Sequence, residues 1–134
     1  PNTQPDLSYP ASFTVPLNGS AVVPATTLAD NGSVSVATAG AGTFTGTFTV
    51  NPGTGEISVS NAAPGGTHTL SLLATDNCGA TRSASVQVIV GAQTTTTVTS
   101  HAPDPSVVGQ PYAVAFTVSA ASGTPTGSVS VSDG

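Results

Sequence analysis

Apolar and polar residues alternate along most of this 134-residue chain. The pattern is clear in residues 43–50, where Phe44, Phe48 and Val50 fall on one face of an extended strand and threonines fall on the other. Such a strand buries one face and exposes the other to water. Two later segments repeat the pattern, with inward faces formed by His68, Leu70, Leu72 and Ala74, and by Ala84, Val86, Val88 and Val90. No window combines helical spacing with a cap, so we predict no helices.

Shorter strands are predicted between clusters of turn residues. They cover residues 12–15, 20–23, 33–36 and 56–60. The turns between strands contain residues that tolerate a positive φ or preset a turn, at positions 31–32, 51–55, 63–66 and 76–79. Short strands at regular spacing are typical of an antiparallel β-sandwich, so the predicted fold class is all-β and immunoglobulin-like.

A domain boundary is predicted near residues 91–93. The strand over residues 83–90 ends in Val-Ile-Val-Gly, and a threonine-rich run begins a new strand almost at once. We therefore predict one sandwich over residues 1–91 and the N-terminal part of a second, incomplete sandwich over residues 92–134. Strands of the second are expected at residues 95–100, 112–120 and 127–132. The short linker limits hinge freedom between the tandem modules.

The composition excludes several classes of partner. Charged residues make up 5% of the chain, there is no lysine, Arg82 is the sole Lys/Arg residue, and the formal net charge is −5. Nucleic-acid binding and attraction to anionic lipids both need several basic residues. No apolar run approaches the roughly 20 residues of a membrane span. The chain starts without Met or a leader pattern, so any signal or anchor is expected outside it.

Two resemblances to known repeats extend this interpretation. Residues 50–58, 66–79 and 83–90 resemble bacterial putative-Ig and HYR-type repeats, which share a proline–glycine turn, a G-T-aromatic-T strand ending in A-T-D and a last strand ending in valines. Residues 94–134 resemble the bacterial Ig-like repeat that opens with a threonine run and continues through Pro-Ser-Val-Val-Gly-Gln-Pro to Gly-Thr-Pro-Thr-Gly-Ser-Val; His101 and Ala102 depart from it. The resemblance implies an extracellular, multi-module bacterial surface or secreted protein with no shared catalytic residues.

Cys78 is the only cysteine, so no disulfide can form within this chain. The HYR-type resemblance implies a partner for a cysteine at this turn, and that partner is missing. An odd cysteine in a secreted chain suggests an intermolecular bridge or a free thiol. The alternative is an inert hairpin residue, which we prefer. In either case the thiol is expected to be exposed at the hairpin tip.

Metal and cofactor sites are not predicted. A zinc site needs three or four converging ligands, whereas His68 and His101 are far apart in sequence and His68 takes the place of a tyrosine in the resembling family. Calcium needs six to eight oxygens, and Asp76 is expected to cap a turn. The six acids are single and scattered: Asp6, Asp30, Glu56, Asp76, Asp104 and Asp133.

Enzymatic chemistry is not predicted either. Glycosidases need two carboxylates about 5–10 Å apart, and a serine nucleophile needs a histidine oriented by an acid; neither arrangement is indicated. Without lysine, no Lys–Asn isopeptide bond can form. Asn18-Gly-Ser and Asn31-Gly-Ser match the N-glycosylation pattern, and we interpret both as polar turns.

The predicted function is a structural Ig-like module of an extracellular bacterial stalk, adhesin, sheath or filament protein. One alternative is a carbohydrate-binding accessory module of a secreted hydrolase, although Tyr9 and Tyr112 are the only residues with amphipathic rings of the kind that bind sugars. Another is an Ig-like decoration of a phage particle. The expected partners are neighbouring Ig-like modules of the same chain or other subunits, with a glycan or protein surface ligand left open.

The apolar face of the second unit bears on this choice of partner. Tyr112, Val114, Phe116 and Val118 share one face, and three strands with such a face are near the minimum for independent stability. Either later strands of the same chain cover this face, as in a tandem array, or strands of another subunit do, as in a filament. The array is preferred because the resembling repeat normally continues in the same chain.

Overall fold

Eleven β-strands and no helix form the regular structure of the part of the chain described in this computed structural model, residues 2–120, 124–125 and 127–132. Within these ranges there is accordingly no helical segment with the length and apolar character of a membrane span. The chain divides into two compact units, Pro1–Gly91 and Ala92–Gly134. The strands are β1 (Asp6–Ser8), β2 (Ser12–Val15), β3 (Ala21–Val23), β4 (Thr27–Ala29), β5 (Val34–Gly40), β6 (Thr47–Val50), β7 (Ile57–Ser60), β8 (Gly66–Asp76), β9 (Thr81–Val90), β10 (Thr94–Ala102) and β11 (Ala113–Ala120).

The larger sheet of the first unit has four strands in the order β2-β9-β8-β5. Its centre is the long hairpin of β8 and β9, which pair antiparallel from Gly66 opposite Val90 to Thr75 opposite Thr81. β5 pairs antiparallel with the other edge of β8. Strands of 11 and 10 residues show the period-two alternation over many positions, which explains why the sequence predicts them well.

One strand pair departs from the antiparallel arrangement expected from the sequence. β2 runs parallel to β9, with Ser12 opposite Gln87 and Val15 opposite Val90. A backbone hydrogen bond from Gly91 N to Val15 O, 2.9 Å long, extends this pairing beyond the end of β9. The early strand β2 therefore lies beside the last strand of the unit and points in the same direction.

Two smaller sheets complete the first unit. One has three strands in the order β3-β7-β6, and the other consists of β1 and β4. All of these pairs are antiparallel. The sequence analysis indicated β3 but not β1 or β4; a strand of three residues carries at most one period of alternation, so such strands are easily missed.

A single hydrophobic cluster lies between the sheets of the first unit. β8 and β9 contribute the inward faces predicted from the sequence, although Ala84 is only half-buried. β7 contributes Ile57 and Val59 from the three-stranded sheet, and Ile57 is fully buried. Since residues from both sheets meet in one cluster, the unit is a two-layer β-sandwich. This result confirms the predicted fold class.

The strand predicted over residues 43–50 is shorter than expected. β6 begins at Thr47, and the preceding residues form a turn in which Phe44 N donates to Ala41 O at 3.0 Å. Phe44 is nevertheless buried. A buried residue in the turn therefore extended the apparent alternation of the strand. Gly46 lies so close to the backbone that an added Cβ would be 2.6 Å from Asn61 O. The turn therefore requires glycine at this position.

The described part of the second unit contains one antiparallel hairpin, β10 and β11, with a register shift between Val98 and Ser100. The strand expected over residues 127–132 is absent: these residues are described, but they form no strand. Val129 and Val131 alternate with polar residues in the sequence. Alternation alone does not make a strand, because the segment must also pair in register with a neighbouring strand. That prediction was wrong.

Candidate functional site

The end of the β8–β9 hairpin is organised around the carboxyl group of Asp76. This group is buried; its Oδ1 accepts hydrogen bonds from the backbone N–H groups of Cys78 at 2.8 Å and Ala80 at 2.9 Å. Its Oδ2 accepts one from Asn2 Nδ2 at 2.8 Å. The hydrogen bond from Asn2 and those from the turn lower the pKa of Asp76 against the opposing effect of burial. Asp76 thus caps the turn, as the sequence indicated.

The N-terminal segment is fastened to this same end of the sandwich. Besides the contact of Asn2, Gln4 Nε2 donates a hydrogen bond to the backbone carbonyl of Thr81, the first residue of β9. The next residue, Pro5, is fully buried. The chain therefore enters the first unit beside the tip of the hairpin.

Cys78 lies in the turn between β8 and β9 and is exposed with a free thiol. The expected exposure is confirmed. Its backbone N–H is held by Asp76, so the carboxyl group fixes the turn that presents the thiol. Whether the thiol bridges two chains stays a prediction.

His68 is a buried residue of the core-facing row of β8. Its Nε2 lies 2.7 Å from the carbonyl oxygen of Pro64, which can only accept, so Nε2 carries the hydrogen. Its Nδ1 lies 2.7 Å from Thr43 Oγ1, which donates when the ring is neutral. The ring also meets Phe44 edge-on, with centroids 5.9 Å apart. Both ring nitrogens are engaged, so His68 joins two loops to the core.

The remaining candidate ligands are not brought together. His101 Nδ1 lies 3.9 Å from Asp104 Oδ2 on an exposed surface, and Asp133 falls outside the described residues. Across residues 2–120, 124–125 and 127–132 there is no group of three or more His, Cys, Asp or Glu side chains that could hold a metal ion.

The β2–β9 pair is the feature that links the two ends of the first unit. The chain enters beside Thr81 at the start of β9, and it leaves at Gly91, directly after the end of β9. A strand of 10 residues spans about 33 Å at about 3.3 Å per residue. The chain therefore enters and leaves the first unit at opposite ends of β9. The alternation in the sequence does not predict this arrangement.

In the second unit an apolar face is only partly covered. Val114 and Val118 are half-buried, whereas Phe116 is 41% exposed and Tyr112 is 49% exposed. Val98 lies opposite Phe116 in the hairpin and is also exposed, a member of this face that the sequence analysis missed. A groove on this unit is lined by residues that include Val98, His101, Val107, Tyr112, Val114 and Val131.

Solved structures of cadherin extracellular domains are similar to this chain. Drosophila N-cadherin EC1-4 matches 72% of the chain, and 27% of its own length, with a TM-score of 0.54 and 15% identity. Protocadherin Gamma B2 extracellular cadherin domains 1–5 match 91% of this chain and 27% of their own, with a TM-score of 0.56 and 20% identity. The protocadherin GammaB4 extracellular domain matches 72% and 18%, with a TM-score of 0.52 and 18% identity.

These similarities define the class of fold. At such low identity they show an all-β, immunoglobulin-like sandwich and nothing finer, and the chain spans 27% or less of the length of each of these three neighbours. No family model matches the chain, and no curated protein matches its sequence. The resemblance to bacterial Ig-like repeats accordingly stays a hypothesis.

Proposed function

We propose that this chain is a load-bearing, structural Ig-like module of an extracellular protein, of the kind that forms bacterial stalks, adhesins, sheaths or filaments. The observation that carries the proposal is the parallel pairing of β2 with β9. This pair ties a strand near the entry of the first unit to the strand from which the chain leaves.

The direction of the pair determines how it responds to tension. When the two ends of the unit are pulled apart, β2 is drawn towards the hairpin end and β9 towards Gly91. Because the strands are parallel, this load shears the pair, and its backbone hydrogen bonds must yield together. The flanking bond from Gln87 N to Ala11 O, 3.1 Å long, adds to this resistance. A load that peeled the strands would instead break the bonds one after another.

Single-molecule pulling tests the proposal. Both samples are full chains tethered at the N-terminus and at one cysteine. The first is the natural chain tethered through Cys78, which loads only the hairpin end; the second is the double variant Cys78→Ser, Gln93→Cys, which loads β2 against β9. We expect the second geometry to require the higher unfolding force. Equal forces, or a lower force through position 93, would contradict a load-bearing role for the pair.

The extracellular location and the partners belong to the same proposal. Two of the structural neighbours are named as extracellular domains, and residues 94–134 resemble a tandem repeat of bacterial surface proteins. The partners we propose are therefore neighbouring Ig-like modules. The proposal includes no catalysis, since Asp76 is occupied by its turn and His68 by Thr43 and Pro64.

We further propose that residues 92–134 are the front part of a second sandwich. Exposed apolar side chains on the β10–β11 face need a covering layer, as the core residues of the first unit have. Strands that follow in the same protein would supply it in a tandem array, which we prefer; strands of another subunit would supply it in a filament. Mass spectrometry of the intact natural protein tests this choice. A mass well above 12.9 kDa supports the array, whereas a polymer of subunits with that mass contradicts it.

A carbohydrate-binding role is the second candidate, and one observation favours it. Tyr112 is half-exposed beside a groove, with its ring 6.2 Å from that of His101. Tyr9, by contrast, is half-buried and donates its hydroxyl to Gly55 O at 2.7 Å, and burial raises the pKa of that hydroxyl. A glycan array with the natural chain and a Tyr112→Ala variant tests this candidate. A specific signal lost in the variant would favour sugar binding over a purely structural role.

A further inference from the structure

Two copies of one tripeptide lie in different turns of the first unit: Asn18-Gly19-Ser20 and Asn31-Gly32-Ser33. In an Asn-Gly pair the backbone nitrogen of glycine can attack the carbonyl carbon of the asparagine side chain, because glycine has no side chain to hinder the approach. Since the two tripeptides are identical, any difference in their reactivity within the folded chain comes from the residues and the structure around them.

Gly32 lies against the side chain of Asn77, an exposed residue in the turn between β8 and β9. A Cβ there would lie 2.5 Å from Asn77 Oδ1, far inside van der Waals contact. Asn77 N also donates to Ser33 O at 3.0 Å, which holds this turn against the β8–β9 hairpin. Asn31 and Gly32 are both exposed, so water reaches the site. The hairpin therefore holds the turn that contains the Asn31-Gly32 pair, and the pair itself is open to water.

The carboxylate of Asp30 accepts a hydrogen bond from the Gly32 N–H group, whose hydrogen the reaction must remove. Gly32 N–H donates to Asp30 Oδ2 at 2.9 Å. This hydrogen bond lies near the plane of the peptide, whereas the nitrogen attacks carbon with the electron density above that plane. Asp30 can therefore accept the proton as a general base while the new bond forms.

The other tripeptide lacks this arrangement. Gly19 N donates to the carbonyl oxygen of Pro16 at 2.9 Å, and a neutral amide carbonyl is a poor proton acceptor. Asn18 N donates to Ala62 O, and Ala62 N donates to Gly19 O, so the pair is clamped on both sides. Asn18 is also held at a φ of 58°. This turn holds its glycine nitrogen without offering it a base.

We propose that Asn31 is a site of spontaneous deamidation in the folded protein, with Asp30 as the base. A bond forms between Gly32 N and Asn31 Cγ, and the bond from Cγ to Nδ2 breaks. The amide proton passes through the Asp30 carboxyl to the leaving nitrogen, which departs as ammonia. Water then opens the cyclic imide to give aspartate or isoaspartate at position 31. No oxidation or reduction takes place.

The change alters the end of the sandwich where the chain enters. It adds one negative charge to a chain whose formal net charge is −5. The new carboxylate lies next to Asp30, whose Oδ1 is 3.4 Å from Thr3 Oγ1 in the N-terminal segment. The isoaspartate product also lengthens the backbone three residues before β5 begins at Val34. The reaction would thus act on the joint between the N-terminal segment and the sandwich as the protein ages.

Peptide mass spectrometry of the full chain, incubated at neutral pH, measures both sites in one sample. In the folded chain we expect Asn31 to convert several-fold faster than Asn18, with isoaspartate among its products. In urea the difference between the two rates should shrink, because the tripeptides are identical and the folded turn no longer holds Gly32 N–H on Asp30. Asp30→Asn keeps an acceptor for the turn but removes the base, so it should slow Asn31 several-fold and leave Asn18 unchanged.

Other results would overturn the proposal. If Asn31 converts no faster than Asn18 in the folded chain, the turn does not promote the reaction. If Asp30→Asn folds, as circular dichroism would show, and Asn31 still converts at the original rate, Asp30 is not the base. Asp30→Ser, which also retains a hydrogen-bond acceptor, provides the same comparison if the first variant does not fold.

Discussion

The two units of this chain use the same alternation of apolar and polar residues with opposite results. In the first unit, residues 1–91, fourteen hydrophobic residues are buried in one cluster, and none of that cluster lies in the described part of residues 92–134. Of the nine large hydrophobic residues that are exposed among those the structure describes, seven belong to the second unit: Val98, Val107, Val108, Tyr112, Phe116, Val129 and Val131. Alternation selects which face of a strand is apolar, but only a second layer makes that face a core.

The largest effect that separates the units is expected from truncating a core residue. Leu70 is fully buried, so Leu70→Ala should lower the free energy of unfolding by about 2–5 kcal/mol through lost burial and a cavity. Phe116→Ala, the matched change in the second unit, should lower it by less, about 1 kcal/mol or less, because Phe116 is 41% exposed and does not belong to the buried cluster. Urea unfolding followed by circular dichroism measures both. Equal losses would mean that the second unit has a core of its own.

The buried histidine should show the next largest effect. His68→Phe removes both ring hydrogen bonds and leaves the Pro64 carbonyl without this partner, which should cost about 1–3 kcal/mol. His101→Phe is the control in the second unit, where the exposed ring has no comparable role, and should change stability by about 0.5 kcal/mol or less. The same urea experiment compares them. A neutral His68→Phe would show that these hydrogen bonds do not stabilise the fold.

A smaller, pH-dependent effect is expected at Asp76. Its pKa in the folded state lies below the ordinary value of 3.8, so its contribution is complete above pH 3.8 and is lost as the pH falls through the lower folded-state pKa. In the Asp76→Asn variant, the melting temperature should therefore fall less than in the natural chain as the pH is lowered below 3.8. Asp6→Asn removes an exposed carboxyl elsewhere in the unit and serves as the matched control. Identical profiles for the two variants would contradict the role of Asp76.

Cys78 offers a test without any expected change in stability. Because the thiol is exposed, a thiol reagent should label it as fast in the native chain as in urea. Labelling that accelerates only on unfolding would contradict the turn geometry. Non-reducing electrophoresis of native material then shows whether the thiol bridges two chains, the use that the odd cysteine suggested.

The sequence predicted the parts of the first unit where a periodic pattern extends over many residues. β8 and β9 were found because they alternate over their whole length, and β2 was found with the bounds it has in the structure. The direction of β2 was not found, since alternation is the same whether a strand runs parallel or antiparallel to its neighbour. At Phe44 the sequence predicted a strand where the structure has a turn. The turn buries Phe44, and its position in the sequence therefore matches the alternation of a strand.

The organisation of the hairpin end could be predicted only in part. Asp76 was expected to cap its turn, since that contact is local in sequence. Its bond to Asn2 joins residues 74 positions apart, and no local pattern indicates such a contact. The same distinction holds at Gly32. Its hydrogen bond to Asp30 joins residues two positions apart and is a local contact, whereas its proximity to Asn77 depends on the fold.

Amide hydrogen exchange on the full 134-residue chain tests most directly the claim that one unit supports itself and the other needs a covering layer. Protection from exchange reports the free energy of local opening. The account predicts strong protection of the amides of β8 and β9, whose strands lie over the core, and weak protection of those of β10 and β11. Equal and strong protection of both hairpins would contradict it, because the second unit would then be stable without strands from elsewhere.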